Sequence, residues 1–382
     1  RALQGQSPQA DVVVDALFGT GLQRPVEGHY RAAIEAINGS RLPVLALDIP
    51  SGLQADTGAV LGAAVCADCC ATFIGRKLGL YTGHGPALCG EVVFADLGVP
   101  TTVYDGIPPT AWLYAGEDLA DLLPPRPRDA HKGHHGHVLV VGGDLGTGGA
   151  VRMAAEAAAR VGAGLVSVAT RGEHLAALLG PRPELMVRGV ARPEELDPLL
   201  ARASVVAVGP GLGQGEWGRQ LLARVLQHTL PMVVDADALN LLAHTPLRRD
   251  DWVLTPHPGE AARLLGVAVP EIQQDRLAAA QAIQQRFGGV CLLKGAGSVV
   301  QDPDACRLIH SGNPGMASGG MGDVLTGVIA GLLAQGLTPA AALRAGAYLH
   351  GRAADLAAVD GERGLLAGDL LAPLRTLVNP HD

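Results

Sequence analysis

Asp323 stands where a glycine-rich run, Gly312–Asp323 (GNPGMASGGMGD), passes into the apolar stretch VLTGVIAGLL. Glycines let backbone amides come close to an anion, and a helix start adds the positive end of its dipole. A carboxylate at that point either caps the amides itself or takes a proton from a hydroxyl facing a phosphate. The length of the glycine run favours the second. A related pattern is Lys294–Ser298 (KGAGS), between two predicted strands. Its amides and one ammonium could cradle a phosphate, although a plain glycine hairpin fits the same residues. Lysine is scarce in this chain. Only Lys77, Lys132 and Lys294 occur against 26 arginines, each in a glycine-containing segment beside a predicted strand.

Three further loops each follow a predicted strand: Gly209–Gly213 (GPGLG), Asp235–Asn240 (DADALN) and Thr255–Glu260 (TPHPGE). Ligands of open α/β sheets bind beyond the carboxyl ends of parallel strands, so all three are expected to line one pocket. Asp235 or Asp237 could hold Mg²⁺ through water, or cap the following helix. His257 is placed to face substrate, and Glu260 to assist a metal or cap a helix. Near the start, Asp15–Pro25 (DALFGTGLQRP), Asp48–Leu53 (DIPSGL) and Asp56–Gly58 (DTG) form a second set. There the glycine loop could take a pyrophosphate, Asp48 a proton, and Asp15 with Ser51 a hard cation; ordinary loop capping is the plainer alternative. His131–His137 (HKGHHGH) runs straight into a predicted strand and has no cysteine ligand nearby, so no metal is expected, and Lys132 with Gly133 is the more interesting pair. Cys66 and Cys69 have CxxC spacing without a second pair, in an apolar stretch, and are expected to be buried structural thiols in a reducing cytoplasm.

The elements that must position these residues are legible in outline. Strands at about Asp11–Leu17, Pro43–Asp48, Ala71–Ile74 and Glu91–Asp96, with a helix over Tyr30–Asn38, imply a parallel sheet with crossover helices. A proline-rich break at Leu122–Lys132 places a boundary near Ala115–Asp129, dividing the chain into 1–115 and 116–382. Strands then restart at His137–Val141, Leu165–Ala169, Val205–Val208, Met232–Asp235, Trp252–Leu254 and Val290–Leu293, with Ser298–Gln301 as an antiparallel partner. Long helices close the chain over about Gly322–Gln335 and Pro339–Ala358. The 382 residues exceed what one core usually serves. With 48% apolar but only 3% aromatic residues, the cores must be Ala, Leu and Val, and 52 glycines suit close helix packing. A net charge of −8 without a basic stripe argues against nucleic acid as partner. No apolar run reaches the roughly 18 residues of a membrane span, and no signal peptide is readable. The chain starts at Arg1 with a strand-like stretch almost at once, which reads as a fragment or processed product.

Taken in order, KGxxGxVLVVGG, GPGLG, DADALN, LTPHPGE, LKGAGS and GNPGMASGGMGDVLTGVIAGLLAQG resemble the NAD(P)H-hydrate dehydratase family, a branch of the ribokinase-like kinases, over about Gly116–Asp382. The resemblance implies an α/β fold with a mostly parallel sheet flanked by helices, and ADP as co-substrate in bacterial members, ATP in eukaryotic ones. It implies nucleotide contacts at Lys294, Gly295, Ala296, Gly297, Ser298 and Gly322, and contacts to the hydrated dinucleotide (NADHX or NADPHX) at Ala150, Gly211 or Gly213, His257 and Asp323. Asp323 would act as general base, Mg²⁺ would bridge the phosphates, and the products would be NADH or NADPH, AMP and phosphate.

The first third resembles the NAD(P)H-hydrate epimerase family, as a partial Rossmann-like unit. That implies dinucleotide contacts at Gly19, Thr20, Gly21, Leu22, Gln23, Arg24 and Pro25, substrate contact at Asp48, and K⁺ at Asp15 and Ser51. Phe73–Leu80 (FIGRKLGL) also looks like a family segment, with Lys77 as a further candidate. The Asn-Asn-Gly-Gly-Asp-Gly segment of that family, with another K⁺ ligand, does not precede Asp11. This unit is therefore expected to be incomplete, within a bifunctional gene product that forms homo-oligomers. Two rivals are a vitamin-precursor kinase of the ribokinase-like group and a non-catalytic nucleotide-binding scaffold. The ordered motif set disfavours the first, and the intact Asp323 and Lys294 disfavour the second.

Overall fold

Val205–Val208 (VVAV) and Val290–Leu293 (VCLL) are apolar end to end, as strands covered on both faces must be, and every one of their residues is buried. They lie inside the larger of two sheets in a computed structural model that describes residues 10–381. The smaller sheet has four parallel strands in sequence order: β1 (Val13–Asp15), β2 (Val44–Leu47), β3 (Cys69–Phe73) and β4 (Glu91–Ala95). Helix α1 (Gly28–Gly39) crosses between β1 and β2 and buries Ile34 and Ile37.

The larger sheet has ten strands. In chain order they are β5 (Trp112–Tyr114), β6 (His137–Val141), β7 (Leu165–Thr170), β8 (Met186–Gly189), β9 (Val205–Val208), β10 (Met232–Val234), β11 (Trp252–Leu254), β12 (Val290–Leu293), β13 (Ser298–Gln301) and β14 (Cys306–Ile309). Across the sheet the order is β5-β14-β13-β12-β11-β10-β9-β6-β7-β8. From β12 to β8 every pairing is parallel, while β13 is antiparallel to both β12 and β14, as the KGAGS turn implies.

Alternation along each strand feeds two cores. Val138, Val140, Val205 and Ala207 face one side, against α2 (Gly148–Arg160), α6 (Met321–Ala334) and α7 (Pro339–Ala357). Leu139, Val141, Val206 and Val208 face the other, against α3 (Ala236–His244), α4 (Pro258–Leu265) and α5 (Arg276–Phe287). The scarcity of aromatics has a packing reason. A Cβ on Gly327 of α6 would lie 2.0 Å from the Ala154 carbonyl oxygen of α2, so these helices touch backbone to backbone.

Several expectations need correction. Trp112–Tyr114 pairs with β14, so the larger sheet starts ahead of the Ala115–Asp129 region. Within Asp11–Leu17 only Val13–Asp15 pairs. Cys66 is exposed rather than buried, because it lies in the approach to β3 and not in the strand; Cys70, Cys89 and Cys291 are buried, and all six cysteines are free. Lys132 is exposed ahead of β6, at the opposite edge from the loops that follow the parallel strands. His131 and His134 stack on each other, and no group of three or more His, Cys, Asp or Glu among the described residues could hold a metal ion. Among the same residues no helix is long and apolar enough to cross a membrane.

Candidate active site

The parallel strands β6, β9, β10, β11 and β12 all end on one edge, so the loops after them converge. Asp235, at the N-cap of α3, is 1% exposed. Its Oδ1 accepts from Lys294 Nζ at 2.7 Å, and its Oδ2 accepts from Thr326 Oγ1 at 2.8 Å. Lys294 Nζ also lies 3.8 Å from Glu260 Oε2. The start of α6 is beside this cluster: a Cβ on Gly322 would sit 3.4 Å from Lys294 Nζ. The N–H groups of Met321, Gly322 and Asp323 have no acceptor among the described residues, as expected of a helix start that serves an external anion.

Charge in this cluster is displaced from ordinary values. Burial, reinforced by Asp235, pushes the Asp323 carboxyl up to about 6, against the opposing pull of Lys294. Burial likewise pushes Glu260 up to about 7, with Lys294 opposing and Asp235 reinforcing. Burial works against the Lys294 charge, yet Asp235, Glu260 and Asp323 together hold its pKa above the usual lysine value. Burial and then Lys294 lower the pKa of His257. Its Nδ1 accepts from the amides of Gly259 at 2.9 Å and Glu260 at 3.3 Å, while the Glu260 carboxylate accepts from the His257 amide at 2.8 Å. Both residues therefore cap α4, and the His257 ring is half exposed beside the cluster.

The remaining loops are tied to this edge by hydrogen bonds. The Gly213 amide donates to Asp237 Oδ2 at 2.9 Å, and Gly211 O accepts from the Asp144 amide at 2.6 Å and from Thr147 Oγ1 at 2.8 Å. Ala150 lies in the first turn of α2, one turn before Met153, whose sulfur would be 2.5 Å from a Cβ on Gly320. The Lys294 amide donates to Pro256 O at 2.9 Å. All site candidates of the larger unit thus belong to one edge. Thr326 was not singled out in the sequence. Its signal is a lone polar residue in an apolar helix, three positions after Asp323 and hence on the same face.

The first unit assembles a second cluster. Asp15 and Ser51 are each 1% exposed; Ser51 Oγ donates to Asp15 Oδ1 at 2.6 Å, and the Ser51 amide donates to Asp15 Oδ2 at 2.7 Å. The Phe18 amide donates to Ser51 Oγ at 2.8 Å, which anchors the Gly19–Pro25 loop just beyond. Gly19 and Gly21 have open space where a Cβ would point, so chain packing does not require glycine there. Asp48, at φ +70°, pairs with Lys77, whose ammonium also donates to Phe73 O at 2.8 Å. Lys77 is therefore drawn into the Asp48 site.

Comparison with known proteins matches this layout. A family described as NAD(P)H-hydrate dehydratase matches residues 138–375, and one described as the YjeF-related protein N-terminus matches residues 1–79. The bifunctional NAD(P)H-hydrate repair enzyme Nnr of Coxiella burnetii is 54% identical over 374 residues, covering 97% of this chain and 77% of its own length. The Escherichia coli enzyme of the same name is 50% identical, covering 97% of this chain and 72% of its own. Among solved structures, a ribokinase-like superfamily protein of Enterococcus faecalis is 32% identical with a TM-score of 0.65, over 71% of this chain and 96% of that one. The ADP/ATP-dependent NAD(P)H-hydrate dehydratase of Bacillus subtilis, co-crystallized with ATP and Mg²⁺, is 32% identical with a TM-score of 0.64, over 70% of this chain and 98% of that one.

Proposed function

The chain belongs to the NAD(P)H-hydrate dehydratase family, and from that premise we propose that its larger unit restores hydrated NADH and NADPH at the expense of ADP. The observation that carries this reading is the meeting of Asp323, Lys294 and the three acceptor-free amides of α6 at one edge of the sheet. The hydroxyl on the hydrated nicotinamide ring is a poor leaving group. Asp323 takes its proton as the oxygen attacks the terminal phosphorus of ADP, and AMP departs. The α6 amides and Lys294 stabilise charge on the phosphoryl oxygens in flight. The ring carbon–oxygen bond then breaks, a proton leaves the adjacent carbon, and the double bond returns with release of phosphate. The residues fit Mg²⁺ held through water beside the nucleotide phosphates, where it would neutralise their charge. Asp235, Asp237 and Glu260 are the carboxylates at this edge; each already accepts hydrogen bonds, from Lys294 and Thr326, from Gly213 and Gln214, and from the His257 amide, so they would hold the ion through its water shell rather than directly.

For the smaller unit we assign Asp48 and the Gly19–Pro25 loop to the hydrated dinucleotide, in interconversion of the R and S hydrates, and Asp15 with Ser51 to K⁺. Asp15 is buried without a cationic side chain against it among the described residues, and a buried carboxylate of this kind is stabilised by a bound cation. Thermal unfolding tests that site. K⁺ in place of Na⁺ raises the melting temperature of the native protein and not of Asp15→Asn; an equal response of the two would remove the assignment. The division between units lies ahead of β5, between residues 96 and 111. The principal function is tested by mixing protein, Mg²⁺ and NADH hydrate with ADP, and following the absorbance of reduced nicotinamide. Recovery that depends on ADP and yields AMP supports dehydration. Accumulation of a stable phosphorylated product would instead support a small-molecule kinase.

A further inference from the structure

Gly295 and Gly297 are glycine for reasons internal to the chain. A Cβ on Gly295 (φ +147°) would lie 2.8 Å from the Arg276 guanidinium, and one on Gly297 (φ +62°) would lie 1.7 Å from the carbonyl oxygen of Tyr81, in the smaller unit. Both glycines adjoin one buried hydrogen-bond chain. Arg276, at the start of α5, is 1% exposed and faces no carboxylate among the described residues. Its Nη2 donates to Leu293 O at 3.1 Å and to Lys294 O at 3.2 Å, and its Nε donates to Thr82 Oγ1 at 3.2 Å. Thr82, fully buried, passes its own proton to Gly297 O at 3.0 Å. The carbonyls on both sides of the turn are thereby held inward. The Ala296 and Gly297 amides between them have no acceptor among the described residues.

We propose that Thr82 and Arg276 are positioning residues for the nucleotide, with the smaller unit supplying through Thr82 one of the two braces that shape the Lys294–Ser298 loop for the phosphates of ADP. This rests on the reading of that loop as nucleotide-binding. Neither side chain touches substrate; each acts through loop carbonyls. An unbraced loop would have to order itself on each binding event, which weakens ADP without altering the chemical step.

Thr82→Val keeps the shape of the side chain and removes the hydroxyl. It removes two buried hydrogen bonds, the one given to Gly297 O and the one taken from Arg276 Nε, and raises the KM for ADP about tenfold. The KM for the hydrate and kcat change by less than about twofold. Thr82→Ser, which keeps the hydroxyl, restores the native KM. Native ADP affinity in Thr82→Val, or equal weakening in both variants, would overturn the proposal. Amide exchange on the unaltered protein gives a second measurement. Saturating ADP slows exchange in the peptide over residues 294–298 and, through Thr82, in that over residues 78–84. Protection of the first peptide alone refutes the brace. Protection of neither refutes the nucleotide-loop reading on which it stands.

Discussion

Asp323 accepts no hydrogen bond from any described residue, and its carboxyl is raised to about 6 by burial and by the neighbouring Asp235. A base of that pKa is ionised near neutral pH yet still basic enough to draw a proton from a hydroxyl in the transition state. Asp323→Asn therefore lowers kcat by roughly 10²–10⁴-fold while the affinity for ADP, measured by titration calorimetry, stays close to native. The base works only when deprotonated, so kcat falls as the pH drops through about 6. Loss of that acid limb in the residual activity of the Asn variant would identify the titrating group. Thr326 acts differently. Its hydroxyl satisfies one oxygen of an almost fully buried carboxylate, and Thr326→Val strands that oxygen. The variant is destabilised by about 1–3 kcal/mol, read by chemical denaturation.

The helices that carry these residues are set by contacts too close for side chains. Gly327 of α6 meets the Ala154 carbonyl of α2, and Gly331 lies 2.8 Å from the Ala158 carbonyl when given a Cβ. Gly327→Val separates the two helices and costs about 1–3 kcal/mol, with a drop in melting temperature of several degrees. The same separation moves the start of α6, so ADP affinity falls as well. Central strands were legible in the sequence because burial on both faces leaves an unbroken apolar run, as in VVAV and VCLL. The strands β5, β8 and β14 (WLY, MVRG and CRLI) were not. They are short, lie at or next to the ends of the sheet and, in two of the three, carry an arginine, so their pattern resembles that of loops. Loops bearing chemistry were legible because each follows a strand that was. The ionic partners within them were not, since pattern alone does not say that Asp235 spends both oxygens on Lys294 and Thr326.

Across the whole molecule, contacts joining distant segments were the least legible. Thr82 meets Arg276 across 194 positions and Gly297 across 215, and no local spacing announces either pairing. Stability also has a component that belongs to the folded whole. His350 on α7 is buried with Nε2 unpartnered, and burial lowers its pKa from 6.5 to about 4. The unfolded chain takes up that proton below about 6.5 while the fold refuses it down to about 4, so stability is lost as the pH falls through this window. Between pH near 7 and pH near 5 the native protein loses on the order of 2 kcal/mol more than His350→Leu, measured by urea unfolding. Equal losses would show that His350 titrates normally. The central claim is that the hydroxyl of the hydrate attacks the terminal phosphate of ADP in front of α6. Its most direct test is to carry heavy-isotope oxygen in that hydroxyl and weigh the phosphate released during turnover. Labelled phosphate, one heavy atom for each nicotinamide restored, is the predicted result; unlabelled phosphate with the label in water would contradict it.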